Sequence, residues 1–162
     1  MKNLIVVAIA AFVMSGCVSQ SQVYMNPSRQ TVRCAWSGYG ITGIVASGIS
    51  MSNCDTDYRN LGYIPLEEAG VTGIILGKTD GSLEVTKVAS GSPAAKADIK
   101  PGDFIVSVNG EKPVNSIEAV KLLFGKIGTP VTVVLKGSPA PRTVDLTLVS
   151  YISLYGAQPV KQ

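Results

Sequence analysis

Ser92-Pro93-Ala94-Ala95-Lys96-Ala97-Asp98-Ile99-Lys100-Pro101-Gly102-Asp103-Phe104-Ile105-Val106-Ser107-Val108-Asn109-Gly110 decides how the rest of this chain is read. Ser92 suits a helix N-cap, where its hydroxyl satisfies a backbone N–H that has no partner inside the helix. Pro93 suits the first helical position, where a missing N–H is no loss. The helix must end by Pro101, because a proline pushes the residue before it out of helical geometry. Phe104 to Val108 then reads as a mostly buried strand. Asn109-Gly110 supplies the two positive φ angles of a type I′ turn. Capped helix, stop, strand and turn make one rigid corner.

Strands and a second helix flank this corner. Val71-Thr72-Gly73-Ile74-Ile75-Leu76 reads as a strand opening on a glycine, and Thr79-Asp80-Gly81-Ser82 as a turn. Leu83 to Val88 alternates apolar and polar residues, as a half-buried strand does. Downstream, Asn115 is predicted to cap a helix, with Glu118 at the capping-box spacing. Ile117, Val120, Phe124 and Ile127 recur at helical intervals with Leu123 beside them, which gives one apolar face. Gly125 and Gly128 punctuate its end. Val131 to Leu135 and Thr143 to Leu148 complete the sheet across a Gly137-Ser138-Pro139-Ala140-Pro141 loop, and Tyr151-Ile152-Ser153-Leu154 is read as extending the last strand.

Gly91-Ser92-Pro93-Ala94, Lys100-Pro101-Gly102-Asp103, Val108-Asn109-Gly110 and Gly125-Lys126-Ile127-Gly128-Thr129-Pro130-Val131 follow one another in the order found in bacterial PDZ domains. Over roughly Glu68 to Val149 the chain resembles the PDZ domain of carboxyl-terminal processing proteases. One departure is Asp98, where these domains carry glycine at the helix end. The resemblance implies an α+β fold, a PDZ-like partly open β-barrel or sandwich with two helices; the cysteines upstream, taken up below, are expected to staple a small element before it. It also implies a mechanism, in which a peptide adds as an extra strand between the glycine-opened strand and the second helix. Carried over by position, Thr72, Gly73, Ile74 and Ile75 match the carboxylate-binding loop, and Leu76 begins the pairing strand. Ile117, Val120 and Phe124 match the groove-lining positions of the helix. On this reading Gly73→Glu blocks the groove. The same apolar residues are also what any small α+β core would bury, so a vestigial groove is the competing reading.

Composition narrows the function classes. At 162 residues, 46% apolar and 15% charged, the chain has room for one globular domain and an appendage. The formal charge of +3 is spread among interspersed acids and bases, with no electrostatic footprint for nucleic acid. There is no histidine, which removes Ser-His-Asp and Cys-His catalysis and histidine zinc sites. The proteases it resembles cut with a serine–lysine pair in a separate catalytic domain. Ser92 and Lys96 sit on adjacent turns here, but Ser92 has a capping role. No catalytic residues, metal or cofactor are expected.

The first sixteen residues have the form of a secretory leader: Lys2, an apolar run from Leu4 to Met14, then Ser15-Gly16-Cys17. Met14-Ser15-Gly16-Cys17 resembles a bacterial lipobox, with methionine where leucine is usual, and implies lipidation of Cys17. Several acyl chains on one cysteine anchor stably. Val18 replaces the aspartate of inner-membrane retention, which points to the outer membrane, facing the periplasm. With Cys17 acylated, Cys34 and Cys54 remain as a pair in an oxidising compartment, and parity favours one disulfide. A metal site is the alternative, but two thiolates are only half a ligand set.

Five segments follow: a leader over 1–16, a lipid anchor and tether over 17–33, a Cys34–Cys54 element over 34–66, a PDZ-like domain over 67–150 and a tail over 151–162. Within the cysteine element, Trp36 to Ile49 is glycine-rich, apolar and nearly uncharged, while Asp55 to Leu61 is read as one or two helical turns capped by Gly62. The glycines serve tight packing in one reading, and in the other the apolar run docks a partner or the membrane. The expected function is a non-catalytic envelope lipoprotein that binds protein C-termini or exposed strands. The alternative is a structural or assembly lipoprotein associating through the cysteine loop; its oligomeric state is not legible.

Overall fold

A computed structural model describes residues 17–77, 82–136 and 141–156. The leader, the Thr79-Asp80-Gly81 turn, the 137–140 loop and the last six residues lie outside the described residues. The chain runs β1 (Cys17–Met25), β2 (Thr31–Tyr39), α1 (Gly40–Asn60), β3 (Ile64–Pro65), β4 (Ala69–Val71), β5 (Ile74–Leu76) and β6 (Val85–Val88). It continues through α2 (Pro93–Lys96), β7 (Phe104–Val108), α3 (Ser116–Leu122), β8 (Phe124–Lys126), β9 (Pro130–Lys136), β10 (Arg142–Thr147), β11 (Val149–Ser150) and α4 (Tyr151–Tyr155). The fold is α+β, with small antiparallel sheets that stay open: β2-β1-β3, β10-β9-β7, β11-β4-β8 and the β5-β6 pair.

The corner that opened the sequence reading folds as its residues dictate. Ser92 is the N-cap of α2, its Oγ accepting the Ala95 N–H at 3.2 Å. Asn109 and Gly110 both take positive φ, and the turn closes through the Val108 N–H on the Glu111 carbonyl at 2.8 Å. Asp98 adopts φ 58°, a left-handed backbone that favours glycine. Arg142 reaches that bend from β10, donating to the Asp98 carbonyl at 3.1 Å and to Asp103 Oδ2 at 3.3 Å. A side chain thus fastens a backbone that glycine would otherwise have left relaxed.

Two cores divide the molecule. The larger packs Ile74 and Val85 against Ala94, Ile105, Val133 and Leu123. The smaller joins Met25, fully buried in β1, to Leu66, Ala69, Val71 and Tyr151, with Phe124 packed against them. Burying a methionine contributes about 1.5–3 kcal/mol. The N-terminal hairpin therefore shares a core with the C-terminal unit.

Several expectations need correction. The 18–33 stretch, read as a tether or extended arm in which Thr31 to Arg33 could be a strand, does carry a strand from Thr31, but it also forms β1, paired from Cys17↔Tyr39 to Met25↔Thr31. The helix expected over Asp55–Leu61 begins much earlier, and α1 has 21 residues. Cys34 in β2 is bonded to Cys54 in α1, with Cα atoms 6.1 Å apart, so the disulfide fixes the helix on the hairpin. The second helix of the C-terminal unit stops at Leu122, and Phe124 to Lys126 cross over as β8 to pair with β4. Tyr151 to Tyr155 coil into α4 and do not extend a strand, because Tyr151 turns into the smaller core. No described helix is long and apolar enough to cross a membrane.

Candidate functional site

A cavity of about 310 Å³ opens between β5 and α3. The chain makes it by breaking the expected Val71–Leu76 strand in two. At Gly73 φ is +85°, so β4 leaves toward β8 and β11 while β5 turns to pair with β6 alone. The other edge of β5 has no strand partner among the described residues. An unpaired edge presents N–H and C=O groups ready for one more strand.

The second wall is α3. Asn115 caps it, its Oδ1 accepting the Glu118 N–H at 2.9 Å, and Glu118 Oε2 accepts the Val114 N–H at 2.8 Å. These bonds fix where the helix starts and hence which side chains meet β5. Ile117 is 63% exposed at the rim, Val120 is half-buried, and Phe124 enters from β8 just past the helix. Thr72, Gly73, Ile74, Ile75, Leu76, Ile117, Val120 and Phe124 all line this one cavity. Their division of labour differs from the sequence reading: Ile74 belongs to the larger core, and Phe124 comes from a strand.

The direction of the groove follows from the pairing of Val71 with Phe124. The end of α3 lies beside the start of β5, and Ile117 stands toward the far end. At the start of β5, Thr72 is buried and its Oγ1 accepts the Ile74 N–H at 3.4 Å. The Thr72 and Gly73 N–H groups have no acceptor among the described residues. The Thr72 carbonyl is taken by the Ala94 N–H at 3.1 Å and the Gly73 carbonyl by the Ala89 N–H at 2.9 Å. Donors are therefore left over where acceptors are not.

Residues 84–137 match the family model of the PDZ domain. Over that span the chain carries a PDZ domain. It is homologous to that of carboxy-terminal processing proteases: the chain is 50% identical over 54 residues to carboxy-terminal processing protease CtpA of Bacillus subtilis, covering 32% of this chain and 12% of that protein. It is 45% identical over 58 residues to carboxyl-terminal-processing peptidase 3 of Arabidopsis thaliana, a chloroplastic protein, covering 35% and 11%. The chain thus spans only about a tenth of these relatives' length. A solved PDZ domain of the carboxy-terminal protease from Vibrio cholerae, in complex with peptide, is similar at 26% identity and TM-score 0.37, over 51% of this chain and 92% of that one. No group of three or more potential metal-ligating side chains gathers among the described residues.

Sequence reasoning missed the third wall. Pro27, Ser28 and Arg29, in the turn between β1 and β2, line the same cavity. Asn26-Pro27-Ser28 is a legible turn signal, and Asn26 Oδ1 indeed accepts the Gln30 N–H at 2.9 Å. That this turn reaches a groove more than forty positions away depends on Met25 joining the smaller core.

A second cluster ties α1 to the hairpin and to the segment before β4. Tyr24 donates its hydroxyl to Asp55 at 2.8 Å, and Arg59 donates to Asp55 at 2.7 Å and to Glu68 at 3.2 Å. The Tyr24 bond, then Arg59, hold Asp55 below the usual carboxylate range, and Arg59 does the same for Glu68. Burial, then the bond to Asp55, push Tyr24 up to about 12. Each of these groups is already satisfied by its neighbours, which makes the cluster a joint.

Proposed function

We propose that this chain is a non-catalytic envelope adaptor whose PDZ groove binds protein C-termini or exposed strands by strand addition. The observation that carries this is the unpaired edge of β5 facing the apolar side of α3 across an open cavity. A peptide there gains main-chain hydrogen bonds from β5 and apolar contacts from Ile75, Ile117, Val120 and Phe124. Isoleucine at the helix start favours an apolar ligand residue opposite it. Acylation of Cys17 would place the adaptor on the periplasmic face of the outer membrane, in keeping with a disulfide formed in an oxidising compartment.

The test is enrichment of a random carboxyl-terminal peptide library on the purified protein, with Ile117→Glu as control. Ile117 is largely exposed, so a charge there leaves the core intact. Enrichment of apolar C-termini by the parent, reduced at least about tenfold in the variant, supports the adaptor, since one buried apolar contact is worth about 1.5–3 kcal/mol. Absence of enrichment on folded protein rejects it.

A second reading, association through residues 36–49, draws on Trp36 and Ile49, apolar side chains 39% and 60% exposed beside the disulfide. It predicts self-association that Ile117→Glu spares and Trp36→Ser weakens, read by sedimentation.

A further inference from the structure

We infer that Arg29, carried on the tip of the N-terminal hairpin, is the cation that selects a free C-terminal carboxylate in the groove. This rests on the peptide-binding reading above and narrows it, from termini or internal strands to termini.

The position of Arg29 comes first. The hairpin turn follows Met25, which shares a core with Val71 and Phe124, the pair that marks the end of the groove where β5 begins. Arg29 lines the cavity together with Thr72 and Gly73, whose N–H groups lack acceptors among the described residues. Two backbone donors without a described acceptor and one guanidinium thus belong to residues that line a single end of the site. An incoming carboxylate is the group with enough acceptor capacity to use them, and an internal amide carbonyl carries no charge to pair.

The hold on Arg29 comes second. Its guanidinium lies over the ring of Tyr155, 4.9 Å from the centroid, with Nη2 3.5 Å from the hydroxyl. Tyr155 is packed on the smaller core, its ring tilted against that of buried Tyr151 with centroids 5.0 Å apart. Among the described residues no carboxylate forms an ion pair with Arg29, whereas Arg59 has two and Arg142 has one. The side chain is therefore pre-positioned on an aromatic face with its charge uncommitted, which lowers the ordering cost of pairing with a ligand. The backbone is fixed as well: Arg29 sits at φ 63°, its N–H donating to the Asn26 carbonyl at 2.9 Å.

The probe is an eight-residue peptide library with its last four positions randomised, made once as free acids and once as carboxamides. The full protein should retain the acid pool at least about tenfold more strongly than the amide pool, the worth of one charge-assisted pair. In Arg29→Gln that ratio should fall to about threefold or less, with amide binding unchanged, and Arg29→Lys should keep an intermediate ratio. Tyr155→Leu, which releases the guanidinium without altering the turn, should lower the ratio too and covers the case in which Arg29→Gln misfolds. Equal retention of both pools by the parent, or a ratio that survives both substitutions, overturns the inference while leaving peptide binding in place. Retention of neither pool removes the peptide-binding reading itself, and the inference with it.

Discussion

Gly73 and Ser92 touch so closely that a β-carbon on the glycine would overlap both Cβ and Oγ of the serine. One residue opens the groove and the other caps α2, so groove and corner are a single packed unit. The contact also rules out Gly73→Glu as a test of the groove, since that variant would damage the fold before it could block a ligand.

Gly73→Ala should destabilise the protein by about 2–4 kcal/mol, because it combines a positive φ with an overlap against a fully buried side chain. Urea unfolding measures the loss. Ser92→Gly, which removes the clashing atoms, should recover about 1 kcal/mol or more of it in the double variant, and strict additivity of the two changes would show that the contact is not the cause.

Removing the disulfide should cost about 3 kcal/mol, as expected for a bond closing a loop between residues 20 apart. Cys34→Ser with Cys54→Ser is compared with the parent by thermal melting, with and without reductant. The reductant should lower the melting point of the parent alone. Hydrogen exchange should quicken in α1 and β2 first, because the bond joins those two elements. Uniform quickening across β7, β9 and β10 would contradict that assignment.

Stability should fall at both ends of the pH scale. Asp55 and Glu68 titrate lower folded than unfolded, so their contribution is complete above the unfolded value of about 4 and is lost as pH drops below it. Tyr24 titrates higher folded, at about 12, so its contribution is complete below about 10 and is lost as pH climbs from there. Denaturant midpoints across pH, repeated on Asp55→Asn with Glu68→Gln, should lose the acidic fall. Tyr24→Phe should remove a phenol that ionises at about 12 in a spectrophotometric titration of the folded protein.

What could be read from the sequence was whatever is fixed by neighbours along the chain. Ser92 before Pro93, Asn109 before Gly110 and Asn115 before Glu118 each satisfy their own backbone groups within a few residues, and each stands where expected. Phe124 and Ile127 mimic helical spacing, but pairing with Val71 pulls Phe124 out into β8 and leaves Ile127 45% exposed. Glycine-rich residues form poor helices in isolation, and α1 exists because β2 and the Cys34–Cys54 bond hold it. The β1 strand hides for another reason: Gln22 and Tyr24 share one face with no apolar run, and from residue 21 onward its buried residues are Tyr24 and Met25 alone. That the residues of β5 and α3 lie together on one cavity was legible because a local glycine and a local cap position them. Arg29 was not, because only long-range packing brings it there.

The straight run of β1 has a mechanical consequence for a lipid at Cys17. The strand goes from Cys17 to Met25 without a break, and Met25 is locked in the core beside the groove. An acyl anchor would therefore be a rigid stilt with almost no slack. At about 3.4 Å per residue it would hold the binding site roughly 27 Å from the attachment point, at a fixed heading. A molecule anchored in that way would not range on a leash. It would patrol a thin layer parallel to the bilayer and meet chain ends presented at that height.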